Sequence, residues 1–146
     1  MTTDPVFAVF AYGTLKRGQC REHCWPAAPL SVEKAWTLGE LYDTGPYPAL
    51  FPGCEPVAGE VWTFGSDVFP EVLRTLDEVE EYRSGHEATN LYNRKIVECV
   101  DQQGVNHHAY VYFYGQQQDK GAFRRVPMSY VWAGRPFAVW PVDGDW

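Results

Sequence analysis

Short runs of apolar residues, most with the alternation or the length of β-strands, follow one another along the chain. Residues 6–12 are apolar and aromatic and stop at Gly13, a pattern typical of a buried strand. Residues 36–42 predict a second strand, with Gly39 marking a bulge, and residues 57–64 alternate like a third. We therefore expect a protein built mainly from short strands.

The C-terminal half of the chain predicts a β-hairpin. Residues 92–100 and 105–114 have strand patterns, and turn-forming residues at 101–104 join them. The second of these strands places Tyr112 and two further tyrosines on one face. Residues 43–53 are rich in turn formers but unusually apolar, so we expect a loop that covers another part of the protein.

One segment, residues 70–82, has the periodicity of an amphipathic helix. Ser66 or Asp67 is its expected N-cap, and Pro70 suits the first turn. Residues 123–140 predict only a short helix or strand. One helix among about five or six strands indicates an α+β fold, a small closed or strongly curved mixed β-barrel with one main helix.

The composition excludes several classes of protein. A chain of 146 residues suits a single domain over residues 1–146, and 45% hydrophobic with 21% charged residues exclude a disordered chain and a membrane protein. The first residues lack the pattern of a secretory leader, so we expect a cytoplasmic protein. A net charge of −7 argues against nucleic acid as a partner, because DNA-binding proteins displace phosphate counterions with cations. The oligomeric state is not predicted.

The cysteines do not form a structural metal-binding pattern. Three residues, including His23, separate Cys20 from Cys24, whereas Cys54 and Cys99 stand alone. A structural zinc site usually has two close pairs of ligands. We therefore expect reduced thiols and no metal.

The predicted helix carries one carboxylate on its apolar side. At about 100° per residue, Leu73 and Leu76 belong to the apolar stripe, and Glu80 falls between them. The other glutamates of the segment project away from this stripe, namely Glu71, Glu78 and Glu81. Burial raises the pKa of a carboxyl group toward neutrality, where a general base works best. Glu80 is therefore the candidate catalytic residue.

Two structural explanations of Glu80 stay open. It could form an ion pair with Arg94, Arg124 or Arg125, or the helix could end before it. The neighbouring Asp77 lies at the edge of the apolar stripe, where we expect a capping or supporting role.

Three stretches, in this order, resemble the gamma-glutamylcyclotransferase-like family, which includes the gamma-glutamylamine cyclotransferases. They are residues 10–18, FAYGTLKRG; residues 39–50, where GELY precedes GPYPAL; and residues 76–82, LDEVEEY, followed by YNR at 92–94. They span about residues 7–114, most of the chain. The tetrad YGTL alone is short, but three matches in family order and at ordinary spacing are specific.

The resemblance implies a compact β-barrel with short flanking helices, no metal and no cofactor. It implies an enzyme that releases 5-oxoproline and a free amine from a small gamma-glutamyl amide. Glu80 matches the catalytic glutamate of the family. The substrate loop of the family matches four consecutive residues, namely Tyr12, Gly13, Thr14 and Leu15.

These residue types suit a cyclisation in which the substrate's α-amine attacks its own side-chain carbonyl. A carboxylate beside the amine can remove its proton and pass it to the leaving amine. Successive N–H groups at residues 13–15 could bind the α-carboxylate. Tyr112 or Tyr110 would add a hydroxyl group, and Tyr47 could cover the substrate.

Two positions depart from the family pattern. Glu81 stands where the family often has glycine, so we expect a different end to the helix, with Gly85 as the substitute. Residues 19–23, QCREH, replace a stretch that contains asparagine in the family, which leaves the substrate range less defined than the reaction.

Two other functions fit parts of the sequence. A non-catalytic domain could bind a carboxylate ligand in the same pocket and use an exposed aromatic tail as a partner surface, formed by Trp132, Trp140 and Trp146. A hydrolase built on Ser84 and His86 is disfavoured, because Gly-x-Ser-x-Gly is absent and no orienting carboxylate accompanies the pair.

Overall fold

The structure, a computed structural model, describes residues 5–146. Its elements are, in chain order, β1 (Ala8–Ala11), β2 (Ser31–Asp43), β3 (Pro48–Thr63), α1 (Phe69–Val79), β4 (Tyr92–Asp101), β5 (Asn106–Tyr114), β6 (Arg124–Arg125), β7 (Tyr130–Trp132) and β8 (Arg135–Phe137). Two 3₁₀ helices, Glu22–Cys24 and Gln117–Ala122, accompany them. Residues 1–4, which belong to the expected domain, lie outside the described residues.

Five strands form a closed mixed barrel. Their hydrogen-bonded order is β3-β1-β5-β4-β2, and β2 pairs again with β3 along most of its length. β1 and β5 run parallel, whereas the other neighbours in the ring are antiparallel. β6 pairs antiparallel with the C-terminal end of β2, and β7 and β8 form a small separate hairpin. Together with α1 and the 3₁₀ helices, this arrangement confirms the predicted α+β barrel.

The β2–β3 hairpin extends further than the sequence pattern indicates. The expected covering loop over residues 43–53 is wrong from Pro48 onward, because β3 begins there. Leu50 and Phe51 are buried core residues of this strand, which explains the apolar character of the segment. The expected bulge is present, since the pairing register shifts directly after Gly39. The prolines and glycines of this segment mark the turn before β3 and the register shift within the hairpin, and they do not interrupt the strand.

The helix α1 is shorter than the predicted segment 70–82. Val68 occupies its N-cap position without a side-chain hydrogen bond, so the expected cap at Ser66 or Asp67 is wrong. Pro70 pre-organises the first turn, and the buried apolar face stabilises the helix without a cap through Phe69, Val72 and Leu76. No helix within residues 5–146 has the length and the apolar character needed to cross a membrane.

The strands bury side chains on both of their faces. On β5, Val111 belongs to one core cluster and Tyr112 to the other, because successive side chains of a strand point in opposite directions. Val72 and Leu76 of α1 pack into the second cluster, which also contains Tyr92. The helix therefore covers the tyrosine-bearing face of β5, and its C-terminal end is brought beside β1 and β5.

The C-terminal tryptophans are packed against the barrel. Trp140 and Trp146 are only 6% and 5% exposed. The indole N–H of Trp146 donates to the Gly59 carbonyl at 2.8 Å, and its ring lies 5.5 Å from that of Trp132. The expectation of an exposed aromatic tail is therefore wrong, because these rings fill the space between the barrel and its last strands.

Candidate active site

One cavity brings together the residues that the sequence singles out from distant segments of the chain. It encloses about 70 Å³ beside the end of β1, the C-terminal end of α1 and β5. The predicted site residues that line it are Tyr12, Gly13, Thr14, Leu15, Tyr47, Glu80 and Tyr112. Of the two alternative tyrosines, Tyr112 lies at this cavity and Tyr110 is not among the described lining residues.

The end of α1 places Glu80 at the cavity. The chain leaves the helix through a Schellman motif, in which the N–H of Tyr82 donates to the Asp77 carbonyl at 2.8 Å. Glu81 adopts the left-handed φ of +56° that this motif requires. The expectation that Gly85 would provide this turn is wrong, because the left-handed residue is Glu81 itself, at the position of the family glycine. A side chain with a Cβ is strained in this conformation.

The helix ends before Glu80, as one alternative supposed. The Glu80 side chain nevertheless keeps the orientation of a helical residue. Glu80 is the first residue beyond α1. Its N–H still donates to the Leu76 carbonyl at 2.8 Å, as in a continuing helix. The side chain therefore keeps the direction of the apolar stripe, and the residue is only 9% exposed.

None of the three candidate arginines forms an ion pair with Glu80. Arg94 bonds Asp77 instead, with 2.5 Å between Nη1 and Oδ2. Arg125 pairs with glutamates of β2 and β3, and Arg124 is exposed on β6. The ion-pair explanation is therefore wrong, since the carboxylate of Glu80 has no ion-pair or hydrogen-bond partner in the described part of the chain.

Burial raises the pKa of Glu80 from 4.5 to about 7. The positive charge of Arg21 opposes this rise, and the adjacent charge of Glu81 adds to it. A carboxyl group with this pKa exchanges its proton readily near neutral pH, because both of its protonation states are populated there.

The loop that follows β1 presents backbone N–H groups without acceptors. The N–H groups of Gly13, Thr14 and Leu15 donate to no other group within residues 5–146, although all three residues are buried at the cavity. A Cβ atom on Gly13 would lie 2.3 Å from Cγ of Pro48, so only glycine allows this close approach. Successive free N–H groups form a favourable site for an anion.

Three tyrosine hydroxyl groups around the cavity are bonded to the protein itself. Tyr12 donates to the Tyr112 carbonyl at 2.5 Å, and Tyr92 donates to the Pro48 carbonyl at 2.7 Å. Tyr112 donates to Oδ1 of Asp77 at 2.8 Å. Burial raises the pKa of each of these tyrosines, so they stay neutral. The Tyr112 ring lines the cavity, while its hydroxyl group is already engaged.

Within residues 5–146, no group of three or more His, Cys, Asp and Glu side chains is arranged to hold a metal ion. Sγ of Cys24 lies 3.7 Å from Nε2 of His23, and Cys20 is exposed. The four cysteines are free thiols in the structure.

Comparison with known proteins assigns the chain to a family. The family model described as "Gamma-glutamyl cyclotransferase, AIG2-like" matches residues 9–134. The chain belongs to the gamma-glutamyl cyclotransferase family. A curated member, the gamma-L-glutamyl-butirosin B gamma-glutamyl cyclotransferase of Niallia circulans, is 36% identical over 110 residues, which are 74% of this chain and 67% of that protein.

Solved structures share the fold of this chain. An AIG2-like protein from Mus musculus superimposes with a TM-score of 0.65 at 23% identity, covering 88% of this chain and 90% of the mouse chain. YkqA from Bacillus subtilis matches with a TM-score of 0.52 at 22% identity over 75% of this chain. This chain spans about a third of YkqA, 36% of its length.

Several lining residues of this cavity were missed by reasoning from the sequence, namely Arg21, Pro48, Leu91 and Tyr92. Arg21 lies in residues 19–23, the stretch that departs from the family pattern, and this departure was a feature of the sequence by which Arg21 could have been found. Tyr92 opens a motif that resembles the family. Pro48 and Leu91 carry no chemical signal, because apolar residues line cavities and cores alike.

Proposed function

We propose that this protein releases 5-oxoproline and a free amine from a gamma-glutamyl amide, with Glu80 as the general acid and base. One observation carries the proposal: the buried Glu80 carboxyl group, with a pKa of about 7, shares its cavity with the unpartnered N–H groups of residues 13–15. The family supports a cyclotransferase activity, and this arrangement provides the two kinds of group that the cyclisation needs.

The loop formed by residues 13–15 binds the α-carboxylate of the substrate in this proposal. Its three residues are buried and line the cavity, and their N–H groups have no acceptor within residues 5–146. Binding an anion there satisfies donors that would otherwise remain buried without partners, which is a favourable exchange. The α-ammonium group, on the same carbon atom, is then directed to Glu80.

Glu80 moves protons from the attacking amine to the leaving amine. An α-amine has a pKa of about 8 and is mostly protonated at neutral pH, so it must lose a proton before it can attack. The amine nitrogen then bonds to the side-chain carbonyl carbon, and the bond from that carbon to the leaving nitrogen breaks. The attacking nitrogen loses two protons in total, one before the attack and one from the tetrahedral intermediate, and Glu80 passes them in turn to the leaving nitrogen, which departs as an ammonium ion, so the reaction consumes neither water nor an external acid.

The cavity walls favour ring closure by restricting the substrate. Intramolecular attack needs the amine and the carbonyl within near-attack distance, and a folded substrate loses the conformational freedom that opposes this. Tyr12, Tyr92 and Tyr112 are each fixed by a hydrogen bond to the protein, so they form a rigid wall. Tyr47 lies at the same cavity, where it covers the bound substrate.

The test is the release of 5-oxoproline from a panel of gamma-glutamyl amides, measured by mass spectrometry on the wild type and on Glu80→Gln. We expect turnover by the wild type, also after dialysis against EDTA, because the proposed chemistry uses one carboxyl group and N–H donors. Glu80→Gln should lower kcat by at least about 10²-fold, the usual contribution of acid–base catalysis.

The matched control is Glu78→Gln, in the last turn of α1, two residues before Glu80, with a side chain that is 73% exposed. It should retain wild-type turnover. Calorimetric titration of Glu80→Gln with a substrate should still show binding. Wild-type turnover by a folded Glu80→Gln would remove Glu80 from its role, and binding without 5-oxoproline release by the wild type would favour a non-catalytic domain.

A further inference from the structure

Two hydrogen-bond donors on β4 and β5 bond Asp77 and leave Glu80 without a partner within residues 5–146. Arg94 of β4 is one of the arginines that the sequence offered as an ion-pair partner of Glu80, and Tyr112 of β5 lines the same cavity as Glu80. Nη1 of Arg94 lies 2.5 Å from Oδ2 of Asp77. The Tyr112 hydroxyl group donates to Oδ1 of Asp77 at 2.8 Å. One carboxylate therefore engages both donors.

Asp77 lies one helical turn before Glu80. The N–H of Glu80 still donates to the Leu76 carbonyl at 2.8 Å, so the helical geometry continues to this residue. Side chains three positions apart on a helix are neighbours, with about 5–6 Å between their Cβ atoms. Burial and Asp77 raise the pKa of Tyr112 most, and the charge of Glu80 adds to this rise. Donors that are bonded to Asp77 are therefore only a short movement away from Glu80.

The surrounding contacts hold both donors at Asp77. The guanidinium carbon of Arg94 lies 5.1 Å from the centre of the Tyr82 ring and 5.2 Å from that of the Tyr110 ring. The side chains of Asp77 and Arg94 are only 24% and 23% exposed, which favours a charge-assisted hydrogen bond between them. The N–H of Tyr82 donates to the Asp77 carbonyl at 2.8 Å. The helix end that carries Glu80 is thus joined to the residue that binds the donors.

We propose that Asp77 is a positioning residue, which holds Arg94 and Tyr112 away from Glu80 and so leaves the Glu80 carboxyl group free for the substrate's amine. This inference rests on the proposed function above, since a general base that is bonded to an arginine is less available and less basic. A neighbouring opposite charge lowers the pKa of a carboxyl group by about 1–3 pKa units, and a hydroxyl donor lowers it further. Without Asp77, both effects would act on Glu80 and oppose the rise in pKa that burial causes.

Further titratable groups face Glu80 from the surrounding segments. The charge of Arg21 lowers the pKa of Glu80 and that of Glu81 raises it, and burial outweighs both. The hydroxyl groups of Tyr12 and Tyr92 donate to backbone carbonyls. All four groups are unchanged in the variants below. A difference in the pKa of Glu80 between these variants can therefore be assigned to the two released donors.

The experiment measures the pKa of Glu80 by NMR on protein with isotope-labelled glutamate carboxyl groups, and Glu80→Gln identifies the signal. Asp77→Ala releases both donors, so it should lower this pKa by about 1–2 pKa units. It should also lower kcat for 5-oxoproline release at least about tenfold near pH 7, the pKa of Glu80 in the wild type. Arg94→Met, added to Asp77→Ala, should recover most of the lost pKa, because it removes the charge. Tyr112→Phe as a third change should recover the remainder.

Two further variants complete the set. Glu78→Ala is the matched control, because it removes a carboxylate of α1 that lies 3.6 Å from an arginine, Arg74, on the exposed side of the helix. It should leave the pKa of Glu80 unchanged. Asp77→Asn keeps the size of the side chain and serves if Asp77→Ala does not fold. Its amide has one oxygen acceptor where the carboxylate has two, so it should release one donor and lower the pKa of Glu80 by a smaller amount.

The outcomes are distinct. An unchanged pKa of Glu80 in a folded Asp77 variant overturns this inference. A lowered pKa that persists after Arg94 and Tyr112 are also replaced overturns it too, because water in a loosened cavity would explain that result. Undiminished turnover with a lowered pKa would show that Glu80 does not need to be free, and it also overturns the inference. Absence of 5-oxoproline from every gamma-glutamyl amide with the wild type overturns the proposed function, whereas the NMR titration decides independently whether Asp77 keeps the donors from Glu80.

Discussion

Replacing Glu80 by glutamine should stabilise the protein at alkaline pH while it abolishes turnover. The folded state raises the pKa of Glu80 from 4.5 to about 7, chiefly by burial. The folded state thus binds the proton more tightly than the unfolded chain does. A carboxyl group with a raised pKa favours the fold while it is protonated, so its contribution is complete below about pH 4.5 and is lost as the pH rises to about 7.

The size of the effect follows from the two pKa values. Linkage gives a loss of about 2.5 kcal/mol in the free energy of unfolding of the wild type between pH 5 and pH 8 from this one group. Glutamine has nearly the same shape as a protonated glutamate and cannot ionise. The variant should therefore escape this loss, and its advantage over the wild type should grow by about 2.5 kcal/mol across the same interval.

Urea unfolding at pH 5 and at pH 8, followed by tryptophan fluorescence, measures this difference. The other titrating groups are common to both proteins, so they cancel when the variant is compared with the wild type at each pH. Glu78→Gln, which removes an exposed carboxylate from the last turn of α1, should show no such pH dependence. If the free energies of unfolding of Glu80→Gln and the wild type change in parallel with pH, the reasoning is refuted. That result would show that ionisation of the Glu80 carboxyl group does not destabilise the folded state.

Two further substitutions test the backbone around the site. Glu81→Gly should raise the free energy of unfolding by about 1 kcal/mol, because glycine adopts the left-handed φ of +56° without the Cβ clash; urea unfolding measures this gain. Gly13→Ala should lower the free energy of unfolding by about 1–3 kcal/mol and abolish turnover, since its Cβ would lie 2.3 Å from Cγ of Pro48 at the cavity wall. Urea unfolding and 5-oxoproline release measure these losses.

Each of these substitutions has a matched control. Glu81→Ala removes the same charge but keeps a Cβ, so it should give little of the gain seen with glycine; an equal gain would assign the effect to charge instead of backbone strain. Gly121→Ala introduces a Cβ where no atom lies within 4 Å, so it should leave stability and turnover nearly unchanged. Full activity of Gly13→Ala would show that the loop tolerates displacement of Pro48.

Local sequence patterns were sufficient to predict elements that bury one face, because such burial imposes a period on the apolar residues. The hairpin β4–β5 and the helix α1 follow this rule, and Glu80 could be identified because it interrupts an apolar stripe. The start of β3 at Pro48 could not be read in this way. Pairing with β2 decides it, and that pairing joins strands across a turn whose residues resemble a loop.

The amino-acid sequence alone sufficed for the class of fold, the family resemblance and the choice of Glu80, because these depend on residue types and their spacing. Only the folded chain shows that Arg94 bonds Asp77 and leaves Glu80 unpaired within residues 5–146, and that Arg21 reaches the same cavity. Which charged side chains interact depends on the distances between segments that lie far apart in the chain. Burial, which sets the pKa of Glu80, depends likewise on every segment packed around it.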